Sequence, residues 1–431
     1  MSRTAAGGVY RIHHMIKRTK IRNNGITFFY EQDPSAGRVT AALFFKAGVL
    51  WEKPREYGVT RFVSQLLFRE LSAVTPEDLT FSLRCGRDHT AFLCAAPKEL
   101  AGEAVAALAR LFDAPPFDAA TVEEVRREML RELAAYAPTR EDEEERLYFE
   151  RDNYGVPLCG TTKTVDALTA EKLEQYRGLW FARSNACFVL TGGFSDGQGK
   201  AIEAFLREQP ARKHKNPNVK PTFPEEQFFR TSASDRLIPT AGNVTVALLF
   251  DVDLCETKPV YADLLRLLLA DPAEGTVSAA LRKKQLTDAL QGELRLYTGF
   301  AVLALSCDVP HDKIAEAINV MADAIAGRKE KLTEETAAPF FGRYRENQLY
   351  RRGDAADTAY DIGLHNFILY TDDIVLPESD ADAVMERLLD AADHILIPDN
   401  AKFLIYYNEK QGADLAAVRR SIAAARIRLF V

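Results

Sequence analysis

The sequence contains no C-x-x-C pair: its six cysteines, Cys85, Cys94, Cys159, Cys187, Cys255 and Cys307, are scattered. A disulfide framework or a zinc ribbon needs closer, patterned spacing, so both are excluded. Several of the cysteines sit in apolar runs, as in Ala186-Cys187-Phe188-Val189-Leu190. That context predicts small buried core residues in a reducing compartment. No run approaches the roughly 20 apolar residues of a membrane span. The N-terminal stretch, MSRTAAGGVYRIHHMIKR, is basic but lacks the apolar run of a secretory leader. Histidine is sparse too: His13 and His14 are adjacent, and His89, His214, His311, His365 and His394 are isolated. None forms the i, i+4 pair of a helical metal site, and each reads as a surface or core residue. A glycine-rich phosphate loop, a nucleophile elbow and a clustered catalytic pair are all missing. The net charge of −7 gives no reason to expect nucleic acid or an anionic membrane as partner. These absences together predict a cytoplasmic globular protein.

What is present is an ordinary globular composition, 47% apolar and 27% charged, on 431 residues. That length exceeds what one hydrophobic core usually supports, so at least two domains are expected. The chain also contains a weak copy of itself. VTAALFFKAGVLWEKP from Val39 and VTVALLFDVDLCETKP from Val244 align at a constant offset of 205. The identities are Val39/Val244, Thr40/Thr245, Ala42/Ala247, Leu43/Leu248, Phe45/Phe250, Lys53/Lys258 and Pro54/Pro259. Each copy leads into a helical apolar pattern, through Phe62, Leu66 and Leu67 in the first and Leu264, Leu265, Leu267 and Leu268 in the second. A second block agrees in order. The strand-like run from Thr90 to Pro97 precedes ELAGEAVAALARLF, and the run from Phe300 to Pro310 precedes KIAEAINVMADAIA. Between the copies lies REQPARKHKNPNVKPTFPEE, polar, proline-bearing and without apolar period, the composition of an exposed linker.

The expected architecture is therefore α+β, with two homologous half-domains, each an antiparallel-rich sheet covered by helices. The boundaries are 1–207 for the first half, 208–225 for the linker and 226–431 for the second half. Within the first half, residues 118–136 and 139–151 read as helices, the second capped by Thr139 with Asp142 three residues on. The acidic run Glu141–Glu145 reads as a solvated helix face in preference to a cation site.

This order of elements is similar to that of the insulinase/pitrilysin-type metallopeptidases. The similarity rests on the strand, turn and helix around Gly58, on Arg87-Asp88-His89-Thr90, and on Pro157-Leu158-Cys159-Gly160-Thr161 with Leu168-Thr169. It also includes the strand ending Val189-Leu190-Thr191-Gly192-Gly193. Active members carry H-x-x-E-H on the first helix, where two histidines on one face bind zinc and the glutamate serves as general base. In the matching segment, Arg61 stands at the first histidine, Ser64 at the glutamate and Gln65 at the second histidine. Arginine stays protonated and repels a dication, glutamine offers only a weak carbonyl oxygen, and serine alone is no general base. The position of the family's third ligand is Glu132, for which pairing with Arg61 is the structural role left.

The resemblance further implies an arginine and a tyrosine, seven residues apart in the second half, that bind and polarise the substrate. Arg282 matches the arginine, but Ala289 stands where the tyrosine should be, and Tyr297 lies at the wrong spacing. A solvated basic helix end, Arg282-Lys283-Lys284, is the equal alternative for Arg282. The expected function is that of a non-catalytic subunit of a zinc peptidase, holding no metal itself and closing one wall of a peptide chamber. Its implied partners are a zinc-bearing homologous subunit and a peptide. Two alternatives stay open: a structural or assembly subunit, as in family members retained in respiratory complexes, and an independent peptide-binding protein.

Overall fold

The computed structural model describes residues 17–20, 25–73, 77–149, 153–210, 235–327, 333–352, 354–371 and 381–429. The expected linker lies outside the described residues from position 211 onward.

The first half contributes β1 (Lys17–Lys20), β2 (Thr27–Gln32), β3 (Arg38–Phe45), β4 (Thr80–Cys85), β5 (Thr90–Pro97) and β6 (Ala186–Gly192). Its helices are α1 (Val59–Ala73), α2 (Ala101–Ala109), α3 (Ala119–Ala135), α4 (Arg140–Tyr148), α5 (Thr162–Asp166), α6 (Ala170–Trp180) and α7 (Asp196–Glu208). The second half contributes β7 (Arg236–Pro239), β8 (Thr245–Asp253), β9 (Gln291–Tyr297), β10 (Phe300–Asp308) and β11 (Ala401–Tyr407). Its helices are α8 (Pro259–Ala270), α9 (Thr276–Lys283), α10 (Ile314–Ala326), α11 (Glu334–Arg352), α12 (Ala355–Gly363), α13 (Ala381–Ile395) and α14 (Leu415–Leu429), with a π-helical turn at Leu364–Leu369. The fold is α+β, and no helix among the described residues is long and apolar enough to cross a membrane.

The strand orders are β1-β2-β6-β3-β5-β4 and β7-β11-β8-β10-β9. Apart from the extra strand β1, the two are one topology: β2 pairs β6 in parallel, β7 pairs β11 in parallel, and every other pairing is antiparallel. The repeated segments occupy equivalent places, since β3 lies between β6 and β5 as β8 lies between β11 and β10. Side chains on a strand alternate between faces, so the constant offset tests the phase as well as the position. Ala41, Leu43 and Phe45 enter the core beneath the first half's own helices, as Val246, Leu248 and Phe250 do in the second. Ala42 and Phe44 face the other way, as do Ala247 and Leu249. Both faces of these central strands are buried, which accounts for their continuous apolar composition.

The covers of those second faces come from the opposite half. Ala359 and Ile362 of α12, with Ile368 and Leu369 of the π-helical turn, pack on Phe29, Ala42, Phe44, Cys187 and Val189 of the first sheet. Tyr148 and Phe149 from α4 and the turn after it, with Tyr154, pack on Leu249, Tyr297, Phe300 and Tyr406 of the second. Thr139 caps α4 in a capping box with Asp142, as the sequence predicts.

Candidate functional site

The helix bearing the degenerate motif starts on a close approach of two backbones. Gly58 adopts φ +93° against the carbonyl of Cys159, and Gly160 adopts φ +71° against the carbonyl of Tyr57. A side chain at either position would collide with main chain, so α1 is pinned to the 157–161 segment. The unpaired N–H groups at the helix start are met by Glu52, only 3% exposed. Its carboxylate accepts from the N–H of Gly58 at 2.7 Å and of Thr60 at 2.8 Å. Burial nevertheless dominates and pushes the Glu52 carboxyl up to about 7.

Arg61, Gln65 and Arg69 follow at four-residue spacing, which places them on one stripe of α1. Glu124, Glu128 and Glu132 form a matching stripe on α3. Arg61 pairs Glu132 at 2.8 Å, while Arg69 pairs Glu124 at 2.7 Å and also Glu128. The reversed order of partners means that the helices run antiparallel, joined by a ladder of ion pairs. Arg61 is 29% and Glu132 52% exposed, so their pair contributes at most about 1 kcal/mol. Gln65 is half-buried in the gap between the two arginines. Ser64 points the other way: it is fully buried, donates to the carbonyl of Thr60 at 2.7 Å and lies 3.4 Å from the Thr90 hydroxyl.

The surroundings do not fit zinc. Although burial works against its charge, the hydrogen bond and charge of Glu132 hold the Arg61 guanidinium more firmly protonated than a free one. Cys85, at the end of β4, and Cys159 lie within reach of that charge. Burial pushes both thiols up, and Arg61 offsets this only in part, so the thiolate form that ligates metal is disfavoured. Among the described residues, no group of three or more His, Cys, Asp or Glu side chains is arranged to hold a metal ion.

Beside this site runs an open sheet edge. β4 ends the first sheet, with β5 on one side and no described strand on the other. Cys85 marks the end of β4 near Arg61, and Phe81 the end near a half-open cavity of about 530 Å³ lined by Leu71, Phe81, Ala106, Leu111 and Phe205.

The second-half candidates are placed as follows. Arg282 is exposed on the last turn of α9, and its guanidinium donates to the carbonyl of Ala273 at 2.5 Å and to that of Pro272. Ala289 is exposed, with its carbonyl accepting from the Thr287 hydroxyl at 3.1 Å. Tyr297 is buried, and its hydroxyl donates to Glu145 at 2.8 Å. His89 is buried, within 2.7 Å of both an Asp88 carboxylate oxygen and the Tyr360 hydroxyl. His365 is buried beside Thr371, His311 and His394 are exposed, and His13, His14 and His214 lie outside the described residues.

One expectation is corrected. The acidic run on α4 is not wholly a solvated face, because Glu144 is 1% and Glu145 6% exposed. Glu144 pairs Arg295 of the second half at 2.9 Å, and Glu145 pairs Arg87. A run of like charges carries no helical amphipathicity, so its buried side is invisible until its partners are known.

The family profile described as "Insulinase (Peptidase family M16)" matches residues 27–160, and that described as "Peptidase M16 inactive domain" matches residues 167–337. A curated relative, an "Uncharacterized zinc protease" of Rickettsia bellii, is 22% identical over 39% of this chain, an alignment that spans only 44% of the relative. Solved structures resemble the whole chain. A chain of Complex III2 from Candida albicans, Inz-5 bound, superposes with TM-score 0.73 at 12% identity, covering 97% of this chain and all of that one. A putative M16-like peptidase from Alicyclobacillus acidocaldarius gives 0.69 at 14%, covering 92% and 99%. A protease from Helicobacter pylori gives 0.71 at 11%, covering 91% and 99%. At such identities the structures speak for the fold alone. The two family profiles, matched in order along both halves, place this chain in the insulinase (M16) peptidase family.

Proposed function

We propose that this chain is a non-catalytic subunit of a zinc metallopeptidase, lining one wall of a peptide chamber whose zinc and general base lie in a homologous partner. The observation that carries the reading is the Arg61–Glu132 pair at 2.8 Å. A fixed guanidinium occupies the first ligand position and engages the one carboxylate that remains of the set. The open edge of β4 beside it supplies unpaired backbone groups to which an extended peptide could add as a further strand. Arg282 enters this reading as a substrate contact, and to serve it must release the carbonyls of Pro272 and Ala273. The composition fits a cytoplasmic setting, with no nucleic acid or membrane among the partners.

The test is purification from the native source, with identification of the copurifying chain and elemental analysis of this one. A homologue with intact H-x-x-E-H, and peptidase activity only when both chains are present, is the expected result. One tightly held zinc per chain, or peptidase activity by this chain alone, would overturn the proposal. The end-to-end likeness to a chain of Complex III2 supports a second reading, a structural subunit. Copurification with a large assembly and no zinc-bearing homologue would favour it.

A further inference from the structure

The cavity at the Phe81 end of β4 takes no part in the degenerate motif, yet it lies on the same strand. It is half-open and about 530 Å³ in volume. Leu71 and Leu111 in its lining are buried, whereas the rings of Phe81 and Phe205 are only half-buried. Ala106, Ala107 and Ala109 of α2 contribute the small side chains that leave the space open. The charges that line it, Glu70, Arg110 and Asp113, are of mixed sign, and the Asp113 carboxylate is already engaged by Arg183. The cavity therefore offers shape and apolar surface but little to orient a ligand. Pockets for organic ligands use a few converging polar groups to do so. Here the orienting groups are next door, in the backbone of β4, which has no described strand on its outer side.

We propose that this cavity is a side-chain pocket serving the β4 edge, and that it takes a large apolar residue, aromatic by preference, of an extended peptide added to that strand. The assignment rests on the peptide-wall reading of this chain and adds a sequence requirement to it. Strand side chains alternate, so Phe81, Leu83 and Cys85 share one face of β4. Phe81 and Leu83 pack on the first half's own helical core, and Cys85 lies beside Arg61. An added strand keeps the same alternation, so the peptide residues opposite Phe81 and opposite Cys85 both point toward this helical layer. They are four positions apart, about 13 Å at roughly 3.3 Å per residue. Antiparallel pairing is the more stable per residue and is the pairing β4 already makes with β5. In that direction the residue that enters the cavity lies four positions C-terminal to the one beside Arg61.

The test uses the full-length chain alone with a dye-labelled nonapeptide of threonine and serine that carries one central phenylalanine. The same peptide with alanine at the centre is the control. Fluorescence anisotropy should show the phenylalanine form binding ~10-fold or more tightly than the alanine form. Ala106→Phe, at a half-buried lining position, fills the cavity from within. It should abolish the preference for phenylalanine and leave the affinity of the alanine form unchanged. Phe205→Ala, which removes a ring from the lining, should weaken the phenylalanine form alone and serves if the first variant does not fold. Equal affinity for the two peptides, or a phenylalanine preference that survives these substitutions, overturns the pocket. In either case slowed hydrogen exchange at the β4 amides would leave the peptide wall itself standing. A peptide that binds without slowing those amides, or does not bind, removes the wall and the pocket together. A small diazirine-bearing residue at the first peptide position, four before the centre, should cross-link on photolysis to the Arg61 end of α1. Cross-linking there from the ninth position instead would overturn the stated direction.

Discussion

Glu52 shows how one buried carboxyl can hold a helix in place and make it sensitive to pH. Its folded pKa is raised from an ordinary 4.5 to about 7, so between those values the folded state binds a proton that the unfolded chain releases. The stabilisation is complete below pH 4.5 and is lost as the pH rises through 7, a change on the order of 3 kcal/mol at most. Urea unfolding midpoints should therefore fall as the pH rises across that window. Glu52→Gln, neutral throughout, should flatten this slope, at the cost of one of the two acceptors that meet the N–H groups of Gly58 and Thr60. An unchanged slope in the variant would assign the pH dependence elsewhere. Asp251 acts with the same sign: burial raises it to about 6, against the opposing charge of Lys402.

At the scale of elements, the placement of α1 depends on the glycines at its threshold. Gly160→Ala adds a Cβ to a left-handed backbone and drives it into the carbonyl of Tyr57, which should cost about 1–3 kcal/mol. Since Arg61 is carried by the displaced helix, its contact with Glu132 should loosen too. Thermal unfolding together with a crystal structure of the variant would check both, and wild-type stability would refute the account. These elements were largely legible in the sequence. The repeat at an offset of 205 identifies β3 and β8 as equivalent strands. The motif's altered residues pick out the Arg61–Glu132 pair before any geometry is known. What could not be read were contacts whose partner lies far along the chain. Glu144 and Arg295 are 151 positions apart, and neither one's surroundings in sequence signal burial. Arg69 and its glutamates give no signal in the sequence for a related reason, since charges spaced along two separate helices look solvated one helix at a time.

For the whole molecule, the exchange of helices means that charge buried in the joint must be matched from both sides. Arg295→Ala would leave Glu144, 1% exposed, without its closest partner among the described residues, with Arg140 farther off at 3.5 Å. The expected destabilisation is on the order of 3–5 kcal/mol. Arg295→Met combined with Glu144→Gln should recover a substantial part of it, because no unpaired charge is then buried. A single substitution as mild as an exposed one, measured by denaturant unfolding, would show that the pair contributes little. The exchange also explains where the internal repeat is visible. Sequence identity survives on β3 and β8, which do the same work in each half. The lent helices, REDEEERLY in α4 and AADTAYDIG in α12, share almost nothing. Once a unit of this kind is duplicated within one chain, each copy's lent helix is shaped by the other copy's sheet. The two copies are then free to diverge as a complementary pair, while neither can be lost.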